Sequence, residues 1–241
     1  SFPGSHAGSL ASRLAALFLE EIVSRATHGI DLHTGAIHRS NLPQIRGNMK
    51  DPETLGLARA FGVPVLLSGD LRDGSLRQAA AEAGVPVLVY EAGEALRFDE
   101  LSIRAGVNGV VRVMRALGML PSRPPRRPFE PVVASSSFWL RAPASGVFRA
   151  YARLGDEVHR AQELGDVVDP TDFLEPTVAS ITTPRAGLVI GCTNLPLVNE
   201  GDALFHVARF DDGVEMSDLA EELDSFQEAF SDRPDEPPQD D

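Results

Sequence analysis

The sequence predicts an α/β fold: a partial sheet with helices on both faces, followed by a small all-β domain. Three observations predict it. Over the first 120 residues, amphipathic helical stretches alternate with short apolar runs, the pattern of an α/β layer structure. One of those runs, Val85-Pro86-Val87-Leu88-Val89-Tyr90, is apolar throughout, as in a parallel strand covered on both faces. Beyond residue 133 the pattern changes to short strands set apart by turn residues.

The elements follow in order. A helix is expected from about Ser9 to Ala26, with Leu10, Leu14, Leu17, Phe18 and Ile22 at helical spacing, a stripe that needs a sheet to lie on. A short strand, His28–Thr34, comes next and ends in a polar turn through Ala36-Ile37-His38-Arg39-Ser40-Asn41. Asp51-Pro52-Glu53 opens a helix with a capping acid and a proline at its first position, and Gly62 stops it. Val63–Leu67 is a buried strand, and Ser75–Ala83 a helix stopped by Gly84. The apolar strand ending in Tyr90 follows, then a helix from about Asp99 to Leu117.

The domain boundaries are read from composition. Residues 1–120 form the α/β part. Residues 121–133 form a stiff linker, because Pro121 to Pro131 holds five prolines in eleven residues. Residues 134–210 carry short strands at Ser137–Arg141, Gly146–Ala152, Val158, Asp166–Val168, Thr177–Thr182, Gly187–Ile190 and Ala203–Ala208. The pairs Gly155-Asp156, Gly165-Asp166 and Gly201-Asp202 read as turns between them. Residues 211–241 read as an acidic, largely disordered tail, with a brief helix near Ser217–Phe230 carrying Leu219, Leu223, Phe226 and Phe230.

Charge and cysteine usage narrow the function classes. The net charge is −13, but the segment from Asp211 to Asp241 holds thirteen acids and one arginine. The acidity therefore belongs to the tail, and the rest of the chain is close to neutral. Nothing there suits nucleic acid, and no apolar run reaches the ~20 residues that cross a bilayer. A single cysteine, Cys192, allows no intrachain disulfide and fits a reducing, cytoplasmic setting. Cys192 itself reads as a small buried side chain.

In an open parallel sheet, ligands bind outside the carboxyl ends of the strands. Two reactive residues stand at such ends. His33 closes the first strand, with Asp31 two residues back on the same face. Glu91 directly follows the apolar run, where a carboxylate is costly unless paired or used. A metal ligand and a general base make a minimal hydrolytic set. Arg39 and Asn41, in the turn after His33, are placed facing a substrate. Arg46, Arg72, Arg77 and Arg97 are cations near strand ends, one of which would hold a substrate carboxylate. His28, His33 and His38 recur every five residues, a period that suits neither helix nor strand, and His6, His159 and His206 lack metal-type spacing.

Asp31-Leu32-His33-Thr34-Gly35, with Tyr90-Glu91-Ala92-Gly93 after the later strand, resembles the succinylglutamate desuccinylase/aspartoacylase family of zinc hydrolases, relatives of the zinc carboxypeptidases. The resemblance implies that His33 is the third zinc ligand and Glu91 the catalytic acid/base. It implies an N-acyl amino acid as the small-molecule substrate, Zn2+ as the cofactor, and hydrolysis of a carbon–nitrogen bond other than a peptide bond. Ser1-Phe2-Pro3-Gly4 resembles the end of the family's arginine loop. The family's two other zinc ligands come from an early His-Gly-x-Glu, which does not occur in these residues, so the resemblance implies a preceding segment. The alternative is a non-catalytic binding or assembly module with an incomplete metal site.

The second half has a likeness of its own. Arg141–Phe148, Leu154–Val158 and Leu164–Asp166 resemble the hammerhead of biotinyl/lipoyl domains. Those domains carry their cofactor on a lysine, and the only lysine here is Lys50, so a swinging-arm role is excluded. A barrel-like appendage remains, expected to wall the active site or to build a homo-oligomer interface.

Overall fold

The helix ends follow from local chemistry. Ser9 caps α1 (Leu10–Glu21), its hydroxyl accepting from the Ser12 amide at 3.3 Å. Asp51 caps α2 (Pro52–Phe61), its carboxylate accepting from the Thr54 amide at 2.8 Å and the Thr54 hydroxyl at 2.7 Å. Those two bonds hold the Asp51 carboxyl below the usual range. Ser75 caps α3 (Leu76–Glu82) in the same way, and α4 (Glu100–Ala116) begins after Asp99. The computed structural model describes residues 1–69, 74–123, 130–171, 177–211 and 216–231.

The strands are β1 (Gly29–Gly35), β2 (Arg39–Gly47), β3 (Val65–Ser68), β4 (Val87–Glu94), β5 (Val132–Ala134), β6 (Ser136–Arg141) and β7 (Gly146–Ala150). They continue with β8 (Glu157–Val158), β9 (Glu163–Val168), β10 (Val178–Thr182), β11 (Gly187–Thr193), β12 (Leu197–Val198) and β13 (Ala203–Arg209). The main sheet runs β1-β4-β2-β11-β13-β6; β3 joins β2 and β5, and β8 joins β11. A second sheet runs β10-β9-β7-β12. β4 is parallel to β1 but antiparallel to β2, so the sheet is mixed where the apolar run predicts a parallel one.

β2 is the largest departure from the sequence reading. Arg39 and Asn41, expected in a turn, lie on a nine-residue strand inside the sheet. Its polar residues Arg39, Ser40, Asn41, Gln44 and Arg46, and a proline, hide it from an apolar pattern. Pro43 cannot donate to the ladder, and there the register slips between Asn41, opposite Gly93, and Gln44, opposite Glu91. The slip brings Asn41, Gln44 and Arg46 onto one face, the face of Glu91.

Helices cover both faces of β4, as expected. Leu88 and Tyr90 pack with Ile45, Leu57, Phe61 and the α4 residues Ala105 and Val113. Val87 packs the other way with Val23, Ala80 and Val85. Burying each large side chain of this kind contributes about 1.5–3 kcal/mol. The α1 stripe is a correction: Leu10, Leu14, Leu17, Phe18 and Ile22 are exposed, and the helix buries Ala15 and Ala16. The stripe points away from the sheet because the smaller alanine face packs inward.

Residues 134–210 have a core of their own, built on Phe148, Leu164, Val189, Phe205 and Val207. Their strands β7, β9, β10 and β12 form the second sheet, whereas β11 pairs antiparallel with β2 and continues the main sheet through β13 and β6. Residues 132 and 133, assigned to the linker, belong to β5, which pairs parallel with β3. Gly165-Asp166 is not a turn but lies within β9. Asp166 is buried there and takes a two-pronged bond from Arg149, at 2.8 Å from Nε, which keeps its carboxyl low.

The acidic segment is also corrected in part. α5 (Met216–Ser231) is a helix, and its stripe is buried: Leu219 and Leu223 join the core around Val65, Leu188 and Ile190, and Phe226 and Phe230 join the α2–α4 core. The reading as a largely disordered tail fails for these residues because four apolar side chains at helical spacing outweigh the acidity of the opposite face. Residues 232–241 lie outside the described residues, as do residues 124–129 of the linker.

Candidate active site

β1 and β4 run parallel with His33 opposite Glu91 and Asp31 opposite Val89. Register partners share a face, so His33, Asp31 and Glu91 stand on one side of the sheet. His33 Nε2 lies 3.0 Å from Asp31 Oδ2. Glu91 has both carboxylate oxygens engaged from β2. Asn41 Nδ2 donates to Oε2 at 2.9 Å, and Arg46 Nε stands 3.0 Å from Oε1 as an ion pair whose N–H is not aimed along the contact. Gly93, two residues later on β4, has φ +66, in the left-handed region that favours glycine.

The arrangement can move a proton. Glu91 is 19% exposed, fixed by a neutral donor and a cation, and in register with the half-exposed His33. A carboxylate held in one orientation can accept a proton from a water that reaches it, as a general base does.

Other predicted residues go elsewhere. His28 Nε2 lies 3.0 Å from Glu53, and His38 Nδ1 lies 3.8 Å from Glu94. Arg97 pairs with Glu94 at 3.3 Å, Arg77 lies against Gly69, and Arg72 falls outside the described residues. Cys192 is buried, and burial pushes its thiol up to about 11. Among the described residues, no three His, Cys, Asp or Glu side chains come together as a metal set. A catalytic zinc takes three protein ligands. His33 and Asp31 supply a nitrogen and an oxygen side by side, so the donors present do not make up such a site.

Two polar residues escaped the sequence reading. Gln44 is fully buried beside Glu91, and His206 on β13 is 3% exposed. The signal for His206 was a histidine within the apolar run Leu204-Phe205-His206-Val207-Ala208, where burial is costly unless the ring has a task.

The fold is an α/β sheet with a histidine and a glutamate in register at one face. Residues 1–117, just under half of the chain, match the succinylglutamate desuccinylase/aspartoacylase catalytic domain. In fold, the chain is similar to a succinylglutamate desuccinylase/aspartoacylase from Rhodobacter sphaeroides, with TM-score 0.77 at 22% identity, covering 87% of this chain and 66% of that one. It is similar to the product-bound ectoine utilization protein EutE (DoeB) from Ruegeria pomeroyi, with TM-score 0.76 at 21% identity and coverage of 87% and 66%. An aspartoacylase family protein from Mesorhizobium loti gives TM-score 0.71 at 20% identity, with coverage of 87% and 65%. The chain thus spans just under two thirds of the length of these structures. No curated protein matches it. No helix among the described residues is long and apolar enough to cross a membrane.

Proposed function

We propose that this chain is the acid/base-bearing part of a deacylase that hydrolyses the amide bond of N-acyl amino acids. The observation that carries the reading is the register of His33 with Glu91, in a segment that matches the desuccinylase/aspartoacylase catalytic domain. Glu91 takes a proton from the attacking water and returns it to the leaving amine. Asn41 and Arg46 orient that carboxylate, and Arg39 faces the substrate from the same strand. A metal ion belongs to this reading, zinc by the resemblance, with His33 as one ligand. The described residues do not complete its ligand set. The single buried cysteine supports a cytoplasmic setting.

The rival reading is a non-catalytic binding or assembly module, favoured by the exposed apolar stripe of α1. Release of free amine from a panel of N-acyl amino acids separates the two. Turnover that Glu91→Gln abolishes supports the deacylase. Turnover that survives Glu91→Gln, or none across the panel, supports the module.

A further inference from the structure

Beyond Glu91 the same sheet face carries a second polar group, drawn from the other half of the chain. Asn41 on β2, Gly191 on β11, His206 on β13 and Trp139 on β6 are successive register partners across four strands. Gly191 has no side chain between its neighbours. A Cβ there would stand 3.1 Å from both Asn41 Oδ1 and His206 Cβ, so glycine is what lets the two close over β11. The His206 ring stacks on Trp139 with centroids 4.3 Å apart and planes 7° from parallel. The Arg39 guanidinium lies 4.6 Å from the centre of the same indole.

Polar atoms here lack partners. His206 Nδ1, Arg39 Nε and both amide atoms of Gln44 are buried without a hydrogen bond. Native proteins rarely leave such atoms unpaired, and these are gathered on one face. The charge is unbalanced too. Arg46 is matched by Glu91, whereas no carboxylate among the described residues pairs with Arg39. The positive field is felt by His206: burial first, then Arg46 and Arg39, lower its pKa to about 3, so the ring is neutral.

We propose that Arg39 and His206 form a carboxylate subsite, with Arg39 supplying the charge and the Nδ1–H tautomer of His206 a hydrogen bond. For the identity of the ligand this rests on the acyl-amino-acid reading. Neighbouring strands lie about 4.8 Å apart, so the row over β11 stands roughly 10 Å from the strand of Glu91. A carboxylate bound there is several bonds removed from the reacting amide. The subsite therefore selects for the far end of the substrate, and the second half of the chain sets specificity.

Two parts of an acyl amino acid bring such a group, the acyl chain and the amino acid. Succinate and glutamate separate them in a titration of the isotope-labelled chain, read at the histidine ring signals. The expected result is a saturable shift of the His206 ring with at least one of the two acids and none with succinamide. The dissociation constant should rise at least tenfold in Arg39→Gln. Succinate acting alone assigns the acyl end, and glutamate alone the amino-acid end. A His206 ring unmoved by both acids, or Arg39→Gln binding as tightly as the parent, overturns the proposal. Turnover is not read, so the loss of the deacylase reading would leave this result standing.

Discussion

His33 and Glu91 are direct partners on the parallel strands β1 and β4, although 57 positions separate them in the chain. The parallel crossover through β2, β3 and two helices brings the imidazole and the carboxylate to one face. The chemistry assigned to them is separable by mutation.

In a preparation that turns over substrate, Glu91→Gln should lower kcat by roughly 10²–10⁴, the usual contribution of a positioned general acid/base. Asn41→Ala should produce a smaller loss, because it frees one oxygen of Glu91 without removing the base. Steady-state kinetics with metal content measured in parallel checks both. Wild-type turnover in Glu91→Gln would remove Glu91 from the mechanism.

Zinc should bind these 241 residues weakly, since one histidine and one aspartate fall short of a three-ligand site. Dialysis against micromolar zinc followed by elemental analysis should find substoichiometric metal, and His33→Ala should lower it further. Tight stoichiometric zinc would point to a ligand set not recognised in the fold.

Phe226→Ser and Phe230→Ser should each destabilise the chain by about 3–5 kcal/mol, the cost of deleting a buried phenyl ring. Urea unfolding followed by circular dichroism reads the shift. Removal of the segment after Phe210 should lower the midpoint further, because it uncovers two cores at once. An unchanged midpoint would mean that α5 does not hold its place.

His206 makes stability depend on acidity. Its folded-state pKa, about 3, lies below the ordinary value of 6.5, so in that interval the unfolded chain binds a proton that the folded chain refuses. Stability is therefore fully present above pH 6.5 and falls as pH drops through the window, with a slope of up to about 1.4 kcal/mol per pH unit. The slope between pH 6 and 4 should flatten in His206→Gln, measured by denaturation at fixed pH. An equal slope in the variant would assign the effect to other groups.

The site was half legible in the sequence. Asp31, His33 and Glu91 could be placed because apolar runs end at them, and such runs mark strand ends whatever the topology. Arg39 and Asn41 were picked out, but in a turn, because a central strand with five polar residues and a proline does not look like one. Gln44 and His206 went unread because their meaning comes from cross-strand neighbours, which local spacing does not encode. The joining of the all-β part to the first sheet went unread for the same reason, since β11 finds β2 about 150 residues back along the chain. With α5 the spacing of the stripe was right, and net charge argued wrongly against it.

The position of α5 also bears on the order in which the molecule assembles. Phe226 and Phe230 complete a core whose other members lie between Ile45 and Val113. During synthesis that core would stay open on one side until more than a hundred further residues had emerged. Long-range closure of this kind slows folding. That part of the nascent chain would thus wait with an apolar surface uncovered, a stage at which chaperones would find it and at which loss of α5 would be felt most.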